Sequence, residues 1–289
     1  MGKAAAILRL TRIEHSIMLV VAVLAAELIS GGLPGIPILA LSLVTPIFVS
    51  MASFAINDYF DIDVDKANKK RDRPLVTGEL RRRDALYVTC AALAVGISAS
   101  LPIDAYAFII AAAFGALAML YSYKLKETLL LGNLYVAFSM AIPFIYGDFV
   151  VSTHLYLSIL LVSAMIFLSG VAREIHGTVR DFEGDRRRRV SSLPVLIGKQ
   201  GASAVAAGLY VVAIAISAYL FAYVQPFKFS IAFGMPIALT DALLAYVSLG
   251  YLARRTAAFY RLARNLSLAA MALALAAILA APVAYAILG

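Results

Sequence analysis

The chain has 289 residues, 63% of them hydrophobic, with 17 acidic and 25 basic side chains giving a net charge of +8. Soluble domains are roughly half apolar, and a mean hydropathy of +0.90 excludes an ordinary soluble globule, leaving an integral membrane protein built of intramembrane helices. One cysteine, Cys90, and three histidines far apart, His15, His154 and His176, exclude a disulfide framework and a Cys/His metal site; Cys90 reads as a small buried hydrophobe.

A short basic segment, 1–12, precedes a first predicted span over 13–30. GGLPG at 31–35 is a turn, because Gly and Pro punctuate helices. The second span, 36–56, runs straight into NDYFDIDVDKANKKRDRP at 57–74. Spans three and four are predicted over 85–101 and 105–121, with a loop at 122–133 holding Lys124 and Lys126. A short fifth span covers 134–146 and is followed by the loop GDFVVST. The sixth, 154–172, leads into REIHGTVRDFEGDRRRR at 173–189. A loop at 191–201 precedes span seven, 202–224, and span eight, 231–253, contains Pro236 and Asp241. A basic loop, 254–264, leads to span nine, 266–288. The expected fold is therefore all-α integral membrane, with nine transmembrane helices arranged around a central cavity in one domain, 1–289.

Charge orients this arrangement. With the N-terminus in the cytoplasm, every Lys and Arg except Lys228 falls on the cytoplasmic side, as the positive-inside rule requires. That side explains the basic excess without nucleic acid, and it receives both acidic stretches. The cluster Arg186 to Arg189 reads as topology and lipid-headgroup contact. The protein is expected in the cell membrane, multi-pass.

Topology does not explain the acidic stretches, since Asp and Glu contribute little to it. On a helix, Asn57, Asp61 and Asp65 fall at i, i+4 and i+8 and share one face, with Asp58 and Asp63 off it. Stacked oxygens repel unless a cation lies between them. Hard oxygen ligands favour Mg²⁺, which binds one or two carboxylates plus substrate phosphates, and the adjacent basic run supplies bidentate arginine. Asp181 and Asp185 repeat the spacing, with Glu183 between them. Two such stretches at one membrane face point to one site holding a diphosphate through metal ions, with Asp61, Asp65, Asp181 and Asp185 as the metal ligands. Asn57 is expected to be an oxygen ligand or to orient one.

These stretches resemble the UbiA superfamily of intramembrane prenyltransferases. Asn57, Asp58, Asp61 and Asp65 match the family's N-D-x-x-D-x-x-x-D, and Arg73-Pro74 with Gly78 match its following R-P loop. Asp181, Glu183, Gly184 and Asp185 match the later part of D-x-x-D-x-E-G-D, whose first Asp is replaced by Thr178. Tyr121, Ser122 and Lys124 or Lys126 match a Y-S-x-x-L-K loop. The resemblance implies prenyl transfer from an isoprenoid diphosphate to an acceptor with release of diphosphate, Asn57, Asp61, Asp65, Asp181 and Asp185 forming the catalytic set. It places Asp58, Arg73, Tyr121, Lys124 and Lys126 with the substrate. Arg173-Glu174-Ile175 ahead of E-G-D is similar to the archaeal branch, which implies a geranylgeranyl diphosphate donor and geranylgeranylglyceryl phosphate as acceptor in ether-lipid synthesis. Arg12, Arg71 and Arg180 are then candidates for the acceptor's phosphate. An aromatic acceptor of quinone synthesis, such as 4-hydroxybenzoate, is the alternative. A transporter of anionic lipid or phosphate is the reading from another class, although its sites would lie nearer the midplane.

Overall fold

The computed structural model describes residues 2–128, 130–187, 192–254 and 256–288. Leu129, Arg188, Arg189, Ser191 and Arg255, all in stretches expected as loops or basic clusters, lie outside them. The described residues hold helices and no strand. They are α1 (Lys3–Thr11), α2 (Ile13–Ser30), α3 (Ile36–Ala67), α4 (Pro74–Thr77), α5 (Arg82–Ser100), α6 (Ala105–Tyr123), a 3₁₀ turn at Leu125–Glu127, α7 (Leu131–Val151), α8 (Leu157–Arg187), α9 (Leu193–Tyr223), α10 (Ile231–Ala253) and α11 (Ala257–Leu288). Eight of them, α2, α3 and α6 to α11, are long and apolar enough to cross a membrane, which makes the chain a multi-pass membrane protein. Helix α5 is not among the eight; its first turn carries Arg82, Arg83 and Asp84.

Several expected boundaries move. Residues 3–11, expected as a basic lead, form α1, which ends at Arg12 in a left-handed backbone (φ 46, ψ 49). Helix α3 continues through the acidic part of the first stretch as far as Ala67, and α8 continues into the second as far as Arg187. Residues 147–151, expected as a loop, belong to α7. Most of the expected loop at 191–201 is the first turns of α9, which kinks at Gly198 (φ 77), a backbone that a residue with a Cβ adopts at a cost. Helix α11 begins well inside the expected basic loop. Cys90 is exposed on α5 rather than buried. The boundary differences share a cause: charge marks where a helix leaves the apolar region, whereas the helical hydrogen-bond ladder continues until a cap ends it.

The chain's long helices pack in sequence. Helix α2 contacts α3, α3 contacts α5, each helix from α5 to α11 contacts the next, and α11 returns to α2, closing a ring. Helix α7 also packs across onto α2. The main core joins α2, α7, α8, α9, α10 and α11 through Phe144, Ile159, Leu220, Phe233 and Ile278. Between apolar helices in lipid, close packing by small residues and buried hydrogen bonds replaces the hydrophobic drive. Ser42 donates to the buried Glu27 at 2.6 Å, tying α3 to α2. At the α7–α2 crossing a Cβ on Gly147 would lie 2.7 Å from the Val23 carbonyl oxygen and 2.9 Å from the Ala26 Cβ. Gly147→Ala should therefore destabilise the folded protein by about 1–3 kcal/mol, read as a lower thermal unfolding midpoint in detergent. An unchanged midpoint would show that the two helices separate at little cost.

Candidate active site

Both acidic stretches lie at the same end of the ring, where the basic side chains compensate them pair by pair. Asn57, Asp61 and Asp65 do share a face of α3. Asn57 Nδ2 donates to Asp61 Oδ2 at 3.0 Å, and Lys126 Nζ, delivered by the 3₁₀ turn, pairs with Asp61 Oδ1. Asp65, buried at 3% exposure, pairs with Lys70 at 2.7 Å and lies 3.9 Å from Arg73 Nε.

Asp58, off that face, is the best enclosed of the stretch at 2% exposure. Arg12 donates to its Oδ1, and Arg73 Nη1 donates to both of its oxygens at 3.2 and 3.3 Å. One carboxylate thus ties the α1–α2 joint to the segment before α4. Arg9 adds a pairing with Glu79 beyond α4; Thr77 donates to Glu79 and Arg9 stands beside it, and both hold its carboxyl below the usual range. Asp63 and Arg71 are exposed.

In the second stretch, Arg180 grips Asp181 through two hydrogen bonds of 2.9 and 2.8 Å, and Asp185 is 8% exposed. Lys199 pairs with Glu183 at 3.0 Å and lies over the Phe182 ring. Thr178, which stands where the resemblance has an Asp, turns its hydroxyl back to the Ile175 carbonyl at 2.8 Å.

Two cavities open here. One, about 510 Å³, is lined by Asp181, Asp185, Arg180, Thr178, Glu174 and also Lys126. Lys126 therefore stands between the stretches, paired with Asp61 and facing the space beside Asp181 and Asp185. Lys124 is exposed and lines neither cavity; the 3₁₀ turn selects one lysine of the two. The second cavity, about 800 Å³, runs down the ring between α2, α3, α6, α7, α8, α10 and α11 and is mostly apolar. Arg12, Asn57 and Tyr121 line it, and Tyr121 stacks on Tyr135 at 4.1 Å. Asp241 lines it too and accepts from Ser217 at 2.6 Å; it lies mid-helix in α10.

Arg173 and Arg264 line both cavities. Sequence reasoning passed over them as a motif position and a topology charge. The one available signal was that Arg264 lies beyond the run of charges at 254–261, beside apolar sequence. His176 is 3% exposed, stacks on Tyr251 at 3.8 Å and also lines the first cavity.

The donor chemistry fits Mg²⁺. Carboxylates and an amide are hard oxygen ligands, and this ion takes one or two carboxylates and completes its shell with substrate phosphates and water. Among the described residues no three Asp, Glu, His or Cys side chains gather closely enough to hold a metal alone, so the fit is to an ion that arrives with a phosphorylated ligand.

Comparison with known proteins gives a consistent answer. The UbiA prenyltransferase family profile matches residues 18–267. Digeranylgeranylglyceryl phosphate synthase of Archaeoglobus fulgidus is 38% identical over 271 residues, covering 93% of this chain and 92% of that protein. A solved structure concerned with digeranylgeranylglyceryl phosphate synthase in membranes has a TM-score of 0.82 at 28% identity, covering 97% of this chain and 99% of its own. A UbiA homologue from Archaeoglobus fulgidus, bound to DMAPP and Mg²⁺, has a TM-score of 0.66 at 21% identity, over 94% of this chain and 98% of its own; that likeness is one of fold.

Proposed function

This chain belongs to the UbiA prenyltransferase family, and on that premise we propose that it transfers a geranylgeranyl group from its diphosphate to geranylgeranylglyceryl phosphate, releasing diphosphate, in archaeal ether-lipid synthesis. The observation that carries the reading is the placement of Lys126, which joins Asp61 to the cavity of Asp181 and Asp185 beside a long apolar cavity. The 38% identity to a digeranylgeranylglyceryl phosphate synthase over nearly the whole chain supports the choice of acceptor.

The reaction breaks the bond between the prenyl C1 and the diphosphate oxygen, whose electron pair leaves with the diphosphate. The acceptor hydroxyl oxygen then bonds to C1 and its proton is lost. The barrier is negative charge growing on the leaving group and positive charge on the allylic fragment. Bound Mg²⁺ would supply charge neutralisation at the diphosphate oxygens, and Asp61, Asp65, Asp181 and Asp185 would hold it. Lys126 adds fixed positive charge beside the leaving group, effective because it is in place before reaction; Arg73, held by Asp58, lines neither cavity. Asn57 orients Asp61. The apolar cavity takes the prenyl chain and excludes water that would otherwise capture the allylic cation, and Tyr121 presents its ring to that path. A transporter has no need of converging carboxylates, and the family assignment sets it aside.

The reading extends to topology. Helix α5 packs against both α3 and α6 and is taken as the ninth span of a single domain, and the basic end with both acidic stretches and the N-terminus faces the cytoplasm.

The test is diphosphate release by the full chain in lipid with geranylgeranyl diphosphate, with and without Mg²⁺. Geranylgeranylglyceryl phosphate and 4-hydroxybenzoate serve as rival acceptors. Mg²⁺-dependent turnover with the lipid phosphate is expected. Turnover with the aromatic acid alone would move the enzyme to quinone synthesis, and none with either would remove the reading.

A further inference from the structure

Both substrates of the proposed reaction carry an isoprenoid tail and a phosphate head, yet the site has two kinds of polar surroundings. One is acidic and suited to a metal-bound diphosphate. The other is the junction of the two cavities, and the residues common to both linings are Arg173, on α8, and Arg264, on α11. The guanidinium of Arg173 donates from Nη1 to Glu174 at 3.0 Å, while its Nε is buried with no partner. Arg264 is exposed, and its guanidinium has no hydrogen bond or ion pair among the described residues. Of the other arginines paired near the site, Arg12 and Arg73 meet Asp58, Arg180 meets Asp181 and Arg9 meets Glu79; Arg73 Nε is also buried without a hydrogen bond, but Arg73 lines neither cavity.

A buried guanidinium nitrogen without an acceptor is costly, and a planar fork of donors matches a phosphate's oxygens. We infer that Arg173 and Arg264 form the subsite for the phosphate monoester of the acceptor lipid. This rests on the reading of the acceptor as a lipid phosphate. The placement follows from chemistry. A phosphate monoester dianion is repelled by uncompensated carboxylates and gains most from free guanidinium. The junction is also where a headgroup lies when its chain occupies the apolar cavity. Arg12 and Arg180, the candidates from sequence, already serve carboxylates, and Arg71 lines neither cavity.

The experiment measures binding as well as turnover. Full-length protein in nanodiscs is titrated with geranylgeranylglyceryl phosphate and with geranylgeranylglycerol, which lacks the phosphate, for the wild type, Arg264→Gln and Arg173→Lys. Arg264 has no partner to lose, so Arg264→Gln tests the site without disturbing a contact. Arg173→Lys keeps the charge beside Glu174 and removes the fork. Arg264→Gln should weaken binding of the phosphate ester by about 10- to 100-fold, the value of a charge-assisted hydrogen bond, with the neutral lipid and the donor's KM unchanged. Unchanged phosphate-ester affinity, or a donor KM that rises as much as the acceptor's, overturns the inference. So does a wild type that binds the phosphate ester no better than the neutral lipid. Arginine-dependent binding of the phosphate ester in a protein that does not prenylate it would leave this subsite standing and overturn the proposed function.

Discussion

Asp61→Ala should lower kcat/KM for Mg²⁺-dependent diphosphate release by about 10²- to 10³-fold, the usual loss when one preorganised group facing developing charge is removed. The loss is chemical, not structural. Asp61 is partly exposed, and its contacts are polar, to Asn57 within the same helix and to Lys126. Alanine is the best helix former, so α3 should persist. On the proposed reading the substitution deletes a metal-binding oxygen, and it also releases Lys126, which lines the cavity of Asp181 and Asp185. Raising Mg²⁺ should therefore fail to restore the rate. Asp185→Ala should show a similar loss, but Asp185 is 8% exposed, so Asp61 gives the cleaner measurement. Steady-state diphosphate release across a Mg²⁺ series decides it. A rate near that of the wild type, with the same Mg²⁺ dependence, would take Asp61 out of the metal set.

Asp58→Asn should act on stability. Removing one member of a buried charge network leaves its partners uncompensated and costs about 3–5 kcal/mol. Here the partners are two arginines from different parts of the chain, Arg12 and Arg73, both about four-fifths buried. Asparagine matches the shape of aspartate but carries no charge, so neither guanidinium keeps an ionic partner there. The expected result is a markedly lower thermal unfolding midpoint in detergent. Arg73→Ala should lower it by less, because Arg12 still compensates Asp58. An Asp58→Asn protein as stable as the wild type would show that the network contributes nothing to the fold. The two aspartates lie three residues apart in one helix, yet their expected losses differ in kind, because Asp61 holds Lys126, which lines the cavity of Asp181 and Asp185, whereas Asp58 is enclosed by Arg12 and Arg73.

Much was readable in the residues. Hydropathy located the helices, the i, i+4 spacing placed Asn57, Asp61 and Asp65 on one face, and the motif matches identified the family. Helix ends were less legible. Span two was expected to end near residue 56, whereas α3 runs on to Ala67, its carboxylates compensated by Arg12, Lys70, Arg73 and Lys126 from outside the helix.

Periodicity and hydropathy are properties of neighbouring residues, so the chain's own order was enough to determine its helices, its membrane character and which oxygens share a face. Which cation meets which carboxylate depends on closure of the helix ring. Arg12 reaches Asp58 across 46 residues and Lys126 reaches Asp61 across 65, separations no local pattern encodes. Only the packed ring chose Lys126 over Lys124, enclosed Asp58, and set Arg173 and Arg264 at the meeting of two cavities, because a side chain's partner is fixed by the helix packed beside it.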